Sequence, residues 1–221
     1  YYNRVDPLRI FSNDPLLFEP GSKFLYTTYG YNLLGAIVES ITGDFLGHLR
    51  EHIFNPAGME STGPDDHFAI IPNRARGYTL HGSILANAGL ADTSNKIPGG
   101  GLIGTASDLA RFAMALGGGR LLKPESLRAM WTRFRTADGI LQGYGMGWTV
   151  ASEPRLQVGH TGGQQGASTH LIYYPDDDVA IAVMLNRDNA PVAPFTQGIA
   201  RILFDTGQEH LPRASRTSIP R

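Results

Sequence analysis

Apolar residues recur at helical spacing in the first part of the chain. A helix is predicted over residues 29–41, with one apolar face and a glycine after its last turn. That face consists of Leu33, Leu34, Ile37, Val38 and Ile41. A second helix is predicted over residues 44–54, where Phe45, Leu49 and Ile53 share a face. Residues 57–100 are rich in Pro, Gly, Asn and Asp, which predicts loops with short strands at most.

Three further helices are predicted beyond that loop region. Thr105 is a typical N-cap, and the apolar residues that follow it have helical spacing: Leu109, Phe112, Ala113 and Leu116. Pro124 suits the start of another helix, whose apolar face is formed by Leu127, Met130, Trp131 and Phe134. A closing helix is predicted over about residues 192–204.

The pattern changes to that of strands after residue 140. Strands are predicted over residues 144–150, 156–160, 169–174 and 179–185. The last is a nearly unbroken apolar run, which predicts burial on both faces, and residues 175–178 connect it to its predecessor as a hairpin loop. The order of helices, antiparallel sheet and closing helix predicts an α+β protein with a helical lobe and a sheet flanked by helices.

Composition narrows the function classes. The chain has 221 residues, a net charge of −1 and no cysteine, which argues against nucleic acid as a partner and excludes thiol catalysis. No apolar run approaches the length of a membrane span. The lack of cysteine suits a periplasmic or secreted protein, but the sequence leaves the compartment open.

Two short motifs suggest other chemistry but have simpler explanations. His48, Glu51 and His52 match the zinc pattern H-x-x-E-H, yet they also fit the solvated face of an amphipathic helix, and no third ligand is evident. Residues 99–104 match G-x-G-x-x-G, but no strand is predicted before them, so the glycines are expected to shape a turn or line a cleft. We therefore predict neither a metal nor another cofactor.

Five segments, in order, carry a more specific resemblance. They are FEPGSKFLYTTYGYNLLG at 18–35, NPAGMEST at 55–62, GGGLIGTASDLARF at 99–112, YGMGW at 144–148 and HTGG at 160–163. Together they resemble the serine β-lactamase and penicillin-binding-protein-like hydrolases of the class C type. Within that family they are most similar to the mitochondrial β-lactamase-like proteins and their bacterial relatives. The resemblance implies a β-lactamase/transpeptidase-like fold and acyl transfer through a serine.

The same resemblance implies roles for particular residues. Tyr26 would be the catalytic base, provided that nearby cations favour its phenolate, and His160 would share or relay protons with it. Thr161 would hydrogen-bond a substrate carboxylate or carbonyl. Gly162 and Gly163 would let the strand approach the substrate, and the Gly163 N–H would be one of two oxyanion donors. Thr28 would contact substrate at the third position of the family's Y-x-N segment.

The chain departs from the family in one important respect. The family's nucleophile and lysine occur as S-x-x-K upstream of Y-x-N, and no S-x-x-K occurs in these 221 residues. Thr93 and Lys96 have the lysine spacing, but the first residue is a threonine and the order is wrong. We therefore expect residues 1–206 to be the C-terminal part of one hydrolase domain, 207–221 to be a tail, and an N-terminal segment to carry S-x-x-K.

Two substitutions at motif positions affect the expected substrate. Thr28 replaces the usual Asn, so an amide that would grip a substrate carbonyl is missing, and His160 replaces a lysine. Both changes favour an esterase or peptidase for small acyl or peptide substrates over a resistance enzyme. The alternative is a non-catalytic family member or fragment with a role in binding or assembly, and an oligomer is compatible with either.

Overall fold

A computed structural model describes residues 1–205, so the predicted tail at 207–221 lies outside the described residues. Within these residues most α-helices precede the main antiparallel sheet and one follows it, which is an α+β order. They are α1 (Thr28–Thr42), α2 (Phe45–Leu49), α3 (Asn55–Ala57), α4 (Ile97–Gly100), α5 (Ala106–Gly117), α6 (Pro124–Met130) and α7 (Val192–Asp205). Short 3-10 helices lie at Asp6–Ile10 and Ser94–Lys96, and a π-helical turn lies at Arg50–Phe54.

The strands form one larger sheet and two small ones. They are β1 (Gly63–Pro64), β2 (Tyr78–His81), β3 (Ile84–Asn87), β4 (Leu102–Ile103), β5 (Thr149–Ala151), β6 (Gln157–Gln164), β7 (Ala167–Tyr174) and β8 (Val179–Leu185). The larger sheet is antiparallel, in the order β5-β6-β7-β8, while β1 pairs with β4 and β2 with β3. The predicted hairpin between the last two strands is therefore confirmed.

Helix α1 has the predicted extent but buries an unexpected face. The Thr27 hydroxyl caps its start by accepting from the Tyr29 N–H at 3.2 Å, and Gly43, with φ 79°, ends it in the left-handed region. Its buried residues are small or polar: Asn32, Gly35 and Ala36. The predicted apolar stripe is largely exposed within the described residues, with Leu34 at 56% and Ile41 at 79%.

Helix α1 packs closely on α4 because glycine stands at the crossing. A Cβ added at Gly35 would collide with the ring of Pro98. At Gly99, an added Cβ would lie 2.5 Å from the Thr28 methyl carbon and 2.9 Å from the Thr28 carbonyl oxygen. These contacts fix the start of α1 against the turn before β4, and so determine where the residues just ahead of α1 lie.

The helix predicted over residues 44–54 is divided into two types of turn. Asp44 caps α2 by accepting from the Gly47 N–H at 2.9 Å, and the following residues form the π-helical turn before α3. Of the predicted apolar face, Phe45 is buried and Leu49 and Ile53 are half-buried, while Phe54, outside that face, is also buried. Periodicity alone could not distinguish the π turn, because its apolar positions also fit an α-helix.

The main core lies between the sheet and the helices on one of its faces. Leu116 of α5 joins the buried cluster with Trp148, Val158, Leu171 and Tyr173. Helix α7 covers the opposite face, where Ile172, Tyr174 and Ile181 form a second cluster. Helices α5 and α7 both contact β8, but of its residues only Ile181 is fully buried, because β8 is an edge strand of the described sheet.

Two predicted elements are shorter than the pattern indicated. Helix α6 ends at Met130, leaving Phe134 outside it, and the strand predicted over residues 144–150 is reduced to β5 with an isolated bridge between Tyr144 and Thr149. The cause is a local exchange of hydrogen bonds. The Met146 N–H donates to the Met130 carbonyl at 2.9 Å, so the two segments pair with each other instead of continuing. Within residues 1–205 no helix has the length and apolarity to cross a bilayer.

The core predicts the effect of truncating one of its members. Leu116 is 2% exposed, so Leu116→Ala leaves a cavity and is expected to lower the free energy of unfolding by about 2–5 kcal/mol. Leu17 is 76% exposed, and Leu17→Ala is the matched control, expected to change it by about 0.5 kcal/mol or less. Urea unfolding followed by circular dichroism measures both. Equal effects of the two substitutions would contradict this assignment of the core.

Candidate active site

Strand β6 is paired on both sides along only part of its length. Strand β5 pairs with residues Gln157 to Gly159, whereas β7 pairs with β6 from Val158 to Gln164. From His160 onward, no strand within residues 1–205 lies against the other edge of β6. Backbone N–H and C=O groups on that edge are therefore available to a ligand.

Tyr26 and His160 lie next to each other beside this open edge. Tyr26 stands in the extended stretch before α1, and His160 lies in β6 where the pairing with β5 has ended. Their ring centroids are 5.5 Å apart, with the planes tilted by 39°. The structure thus brings together the two residues that the sequence predicts to be catalytic, and the roles themselves stay predictions.

The hydrogen bonds of His160 determine which ring nitrogen carries a proton. Nδ1 lies 2.6 Å from the Thr161 carbonyl oxygen, which can only accept, so Nδ1 is the donor. In the neutral ring Nε2 is then an acceptor, and the Tyr144 hydroxyl at 2.7 Å donates to it. The Tyr144 oxygen can in turn accept from the Tyr31 hydroxyl at 3.2 Å. A chain of phenols therefore ends on the imidazole beside Tyr26.

The two phenols nearest to His160 are held in the protonated form. Burial, followed by the neighbouring phenol of Tyr31, raises the pKa of Tyr26 above its ordinary value. Burial also raises the pKa of Tyr144, and its hydrogen bond with Tyr31 adds to the effect. Tyr26 is 49% exposed, and its hydroxyl has no hydrogen-bond partner among residues 1–205. It is thus available, but it is not the phenolate that the sequence analysis required.

A cavity of about 490 Å³ opens beside Tyr26. Its walls come from the start of α1 and from the Ser94–Lys96 turn, and they comprise Tyr26, Thr27, Thr28, Tyr29, Asn32, Asn95 and Lys96. Thr28 is the first residue of α1 and is half-buried in this wall. The predicted contact residue Thr28 and the predicted base Tyr26 therefore share one cavity.

The remaining predicted residues lie along the open edge of β6. Thr161, Gly162 and Gly163 are all exposed. A Cβ added at Gly163 would touch nothing, whereas one at Gly162 would collide with the Thr169 hydroxyl on β7. Space is therefore open beside Gly163, while Gly162 is required by packing within the sheet. Thr161 pairs with His170 and, because strand residues alternate, projects to the face opposite His160.

Comparison with known proteins decides the family. The sequence model of the family described as Beta-lactamase matches residues 1–203 of this chain. The chain belongs to the beta-lactamase family. The resemblance found in the five sequence segments is thereby confirmed.

Curated relatives support membership of the beta-lactamase family and show how much of a full protein is present. The human mitochondrial serine beta-lactamase-like protein LACTB (Homo sapiens) is 34% identical over 206 residues, covering 80% of this chain and 38% of that protein. Penicillin-binding protein 4* of Bacillus subtilis (strain 168) is 29% identical over 187 residues, covering 77% and 41%. The chain spans less than half the length of either relative.

Solved structures of beta-lactamase-like proteins confirm the predicted fold. The crystal structure of the penicillin binding protein from Bacillus halodurans superposes with a TM-score of 0.76. The superposition covers 92% of this chain and 63% of that one, with 24% sequence identity. At that identity the likeness establishes the fold alone, which is the predicted α+β arrangement of helices and an antiparallel sheet.

Three further residues of the candidate site are not predicted from the sequence. Tyr144 was assigned only to a strand, although it belongs to the YGMGW segment and bonds His160 directly. Lys96 has only the lysine spacing relative to Thr93 in the sequence, yet it lines the cavity. Asn32, which is 4% exposed, was not singled out at all. The family segments marked all three regions, but only the folded chain brings them together.

The two alternative motifs have structural explanations in the described residues. His48 and His52 place their rings 4.3 Å apart, and no group of three or more His, Asp or Glu side chains within residues 1–205 is arranged to hold a metal. Residues 99–104 begin inside α4, which follows a 3-10 turn, and no strand directly precedes them. Gly99 and Gly101 permit close packing, since an added Cβ at Gly101 would lie 2.7 Å from the Ile97 Cα.

The raised pKa of Tyr144 predicts a change in alkaline stability. The folded state keeps this proton above the ordinary tyrosine pKa of about 10, where the unfolded state releases it. This stabilisation is complete below that pH and is lost as the pH rises through the folded-state value. We expect the free energy of unfolding of Tyr144→Phe to fall less steeply between about pH 9.5 and 11 than that of the wild type. Urea unfolding at a series of pH values measures both slopes, and identical slopes would refute the assignment.

Proposed function

We propose that the protein is a serine acyl hydrolase that acts on small acyl or peptide substrates through an acyl-enzyme. Residues 1–206 would form the C-terminal part of its catalytic domain. The observation that carries this proposal is the adjacency of the Tyr26 and His160 rings at the open edge of β6, 5.5 Å apart. Membership of the beta-lactamase family supports the reaction class.

The nucleophile has to come from outside these residues. No S-x-x-K occurs in the 221 residues, and the chain spans 38% of the human relative. We propose that a further segment supplies a serine and a lysine to the cavity beside Tyr26. The serine oxygen would attack the substrate carbonyl, and its proton would pass to Tyr26 and then to the leaving group. Water would hydrolyse the acyl-enzyme with the same proton path.

Tyr26 needs a cation beside it in order to act as a base. Burial and Tyr31 raise its pKa in the described residues, which disfavours the phenolate. A lysine ammonium arriving with the serine would favour the phenolate and lower that pKa. His160, with Nδ1–H fixed on the Thr161 carbonyl, would stabilise the phenolate when its ring is protonated. The base would therefore be completed only when the nucleophile segment is in place.

The open edge of β6 suits the binding of an acyl group. Space beside Gly163 would admit a substrate carbonyl, and the Gly163 N–H would be one oxyanion donor. Gly162 would keep the strand close to β7, and the exposed Thr161 would hydrogen-bond a substrate carbonyl or carboxylate that reaches the face opposite His160. Thr28 would contact the substrate from the opposite wall, without the amide that an asparagine would offer.

Removing the Tyr26 hydroxyl tests this proposal. In the full protein, Tyr26→Phe is expected to lower kcat/KM for 4-nitrophenyl acetate by about 100- to 10,000-fold, because the general base is lost. The matched control is Tyr2→Phe, a fully exposed phenol, which should change the rate by less than about two-fold. A Tyr26→Phe enzyme of wild-type rate would overturn the role of Tyr26.

Fluorophosphonate labelling of the full protein distinguishes an enzyme from a non-catalytic family member with a binding or assembly role. A fluorophosphonate labels an activated serine, so labelling of the full protein supports the hydrolase. Failure to label, together with no ester hydrolysis, favours the non-catalytic alternative. That alternative has support in the missing S-x-x-K of this chain and in the raised pKa of Tyr26.

Thr28 predicts a preference for esters over β-lactams. We expect the full protein to hydrolyse 4-nitrophenyl esters readily and nitrocefin slowly, because Thr28 cannot donate two amide hydrogens to a substrate carbonyl. Thr28→Asn is expected to raise kcat/KM for nitrocefin by about ten-fold, the effect of one hydrogen bond. Nitrocefin turnover by the wild type that matches its ester turnover would contradict this specificity.

A further inference from the structure

The hydroxyl of Tyr144 connects segments that are far apart in the sequence. It lies 2.7 Å from Nε2 of His160 on β6 and 3.2 Å from the hydroxyl oxygen of Tyr31 on α1. Tyr144 itself belongs to neither element, because it stands in the turn before β5. This turn therefore bridges the helix and the strand that form opposite sides of the candidate active site.

Backbone contacts fix the position of Tyr144 independently of that bridge. The Tyr144 carbonyl accepts from the Phe134 N–H at 3.4 Å, and the Gly145 N–H donates to the Trp148 carbonyl at 2.8 Å. A Cβ added at Gly145 would collide with the Met130 carbonyl oxygen, so the turn lies directly against the end of α6. A side chain on so constrained a turn can hold its hydrogen-bond partner in one place.

Aromatic neighbours hold the ring of Tyr144 as well. Its centroid lies 5.5 Å from that of Phe24 and 6.1 Å from that of Tyr26. The Tyr26 ring in turn lies 6.1 Å from Tyr31 and 5.5 Å from His160. Tyr26 is thus surrounded by the three rings that share the chain of hydrogen bonds, although none of the bonds in that chain involves its own hydroxyl.

The hydrogen bonds of His160 suit both charge states of its ring. In the neutral ring Nδ1–H donates to the Thr161 carbonyl at 2.6 Å, and Nε2 accepts from Tyr144. In the protonated ring both nitrogens donate, so Nε2–H would bond the Tyr144 oxygen. The Tyr144 hydroxyl would then rotate and donate to the Tyr31 oxygen. A phenol fits this position because its hydroxyl can donate or accept, so the ring of His160 need not move when its charge changes.

We propose that Tyr144 is a positioning residue that holds the His160 ring beside Tyr26 in both charge states, with Tyr31 completing the chain. This inference rests on the proposed function, because it adds a residue to the machinery of the same site. The Tyr144 hydroxyl would not touch the substrate. It would act by fixing the imidazole, so that a positive charge on the ring stays beside the Tyr26 phenol. The contacts that carry this role are all made between described residues.

Removing the Tyr144 hydroxyl in the full protein tests this role by kinetics. Tyr144→Phe keeps the packed ring but is expected to lower kcat for 4-nitrophenyl acetate about 10- to 100-fold, the effect of one hydrogen bond to a charged group. KM should change less than about two-fold, because the hydroxyl does not contact the substrate. Tyr31→Phe removes only the outer bond and is expected to lower kcat about two- to ten-fold, the effect of a neutral hydrogen bond.

The ring nitrogens of His160 report on the positioning directly. With ¹⁵N-labelled histidine, at a pH that keeps the ring neutral, the wild type is expected to show a protonated Nδ1 and a hydrogen-bonded, unprotonated Nε2. Loss of the signal in His160→Gln assigns it. In Tyr144→Phe the Nε2 resonance should move to that of an imine nitrogen without a hydrogen bond. The matched control is Tyr78→Phe, at a half-buried phenol on β2, which should change neither this resonance nor kcat.

The two measurements distinguish failure of this inference from failure of the proposed hydrolase. The nitrogen resonances need no turnover, so the expected shift in Tyr144→Phe would support the positioning of the ring even if the wild type hydrolyses no ester. An unchanged Nε2 resonance in Tyr144→Phe, or a wild-type ring protonated on Nε2 alone, would overturn the proposal. So would an active wild type whose kcat is unaffected by Tyr144→Phe, or is lowered equally by Tyr78→Phe.

Discussion

The half-paired strand β6 is the constraint on which the candidate site depends. Pairing with β5 stops at Gly159, while pairing with β7 continues to Gln164, so the strand is fixed on one side and open on the other. A free strand end would move, and a fully paired strand would leave no room for a ligand. The combination lets a rigid backbone present hydrogen-bonding groups to solvent. His160 occurs at the first position after the change, where its ring can meet residues from outside the sheet.

The opposite wall is held by close backbone contact instead of by a large apolar core. Gly35 and Gly99 allow α4 to approach α1 so closely that a methyl group at either position would collide. Asn32, on the same face of the helix, then bonds the backbone of the Ser94–Lys96 turn. This arrangement couples the positions of Tyr26, Thr28 and Lys96, because all of them depend on where α1 begins. A larger residue at either glycine would therefore disturb the cavity as well as the packing.

The helices and strands that can be predicted from the sequence are those whose apolar spacing follows directly from the local backbone conformation. Helix α1 and strand β8 are found with nearly their true bounds, because spacing and capping residues report directly on backbone conformation. The same reasoning could not show that the Leu34 and Ile41 face of α1 is largely exposed in the described chain, since a pattern does not identify what covers it. It also missed the π-helical turn at Arg50–Phe54, whose apolar spacing is compatible with an ordinary helix.

The site residues also fall into two groups: those that the sequence marks and those that only the folded chain brings to the site. Tyr26 and His160 were found because family segments mark them, although 134 positions separate them in the sequence. Tyr144 and Lys96 are not predicted as site residues, because contacts between distant segments bring them to the candidate site. The Tyr144 hydroxyl bonds His160, and Lys96 bonds Gln164 and lines the cavity beside Tyr26. No single-sequence signal reports either fact.

Two electrostatic features of the cavity bear on the proposed role of Tyr26: the pKa of its phenol and the charge of Lys96. The pKa of Tyr26 is raised by burial and by Tyr31, whereas its proposed role as a base would need a neighbouring positive charge that lowers this pKa. Lys96, which lines the same cavity, forms no ion pair within residues 1–205. If Lys96 served to activate Tyr26, it would lower the pKa of the phenol, and burial together with Tyr31 would not dominate. Lys96 is therefore not the cation that Tyr26 would need as a base, and in the proposed hydrolase that charge would arrive with the nucleophile segment.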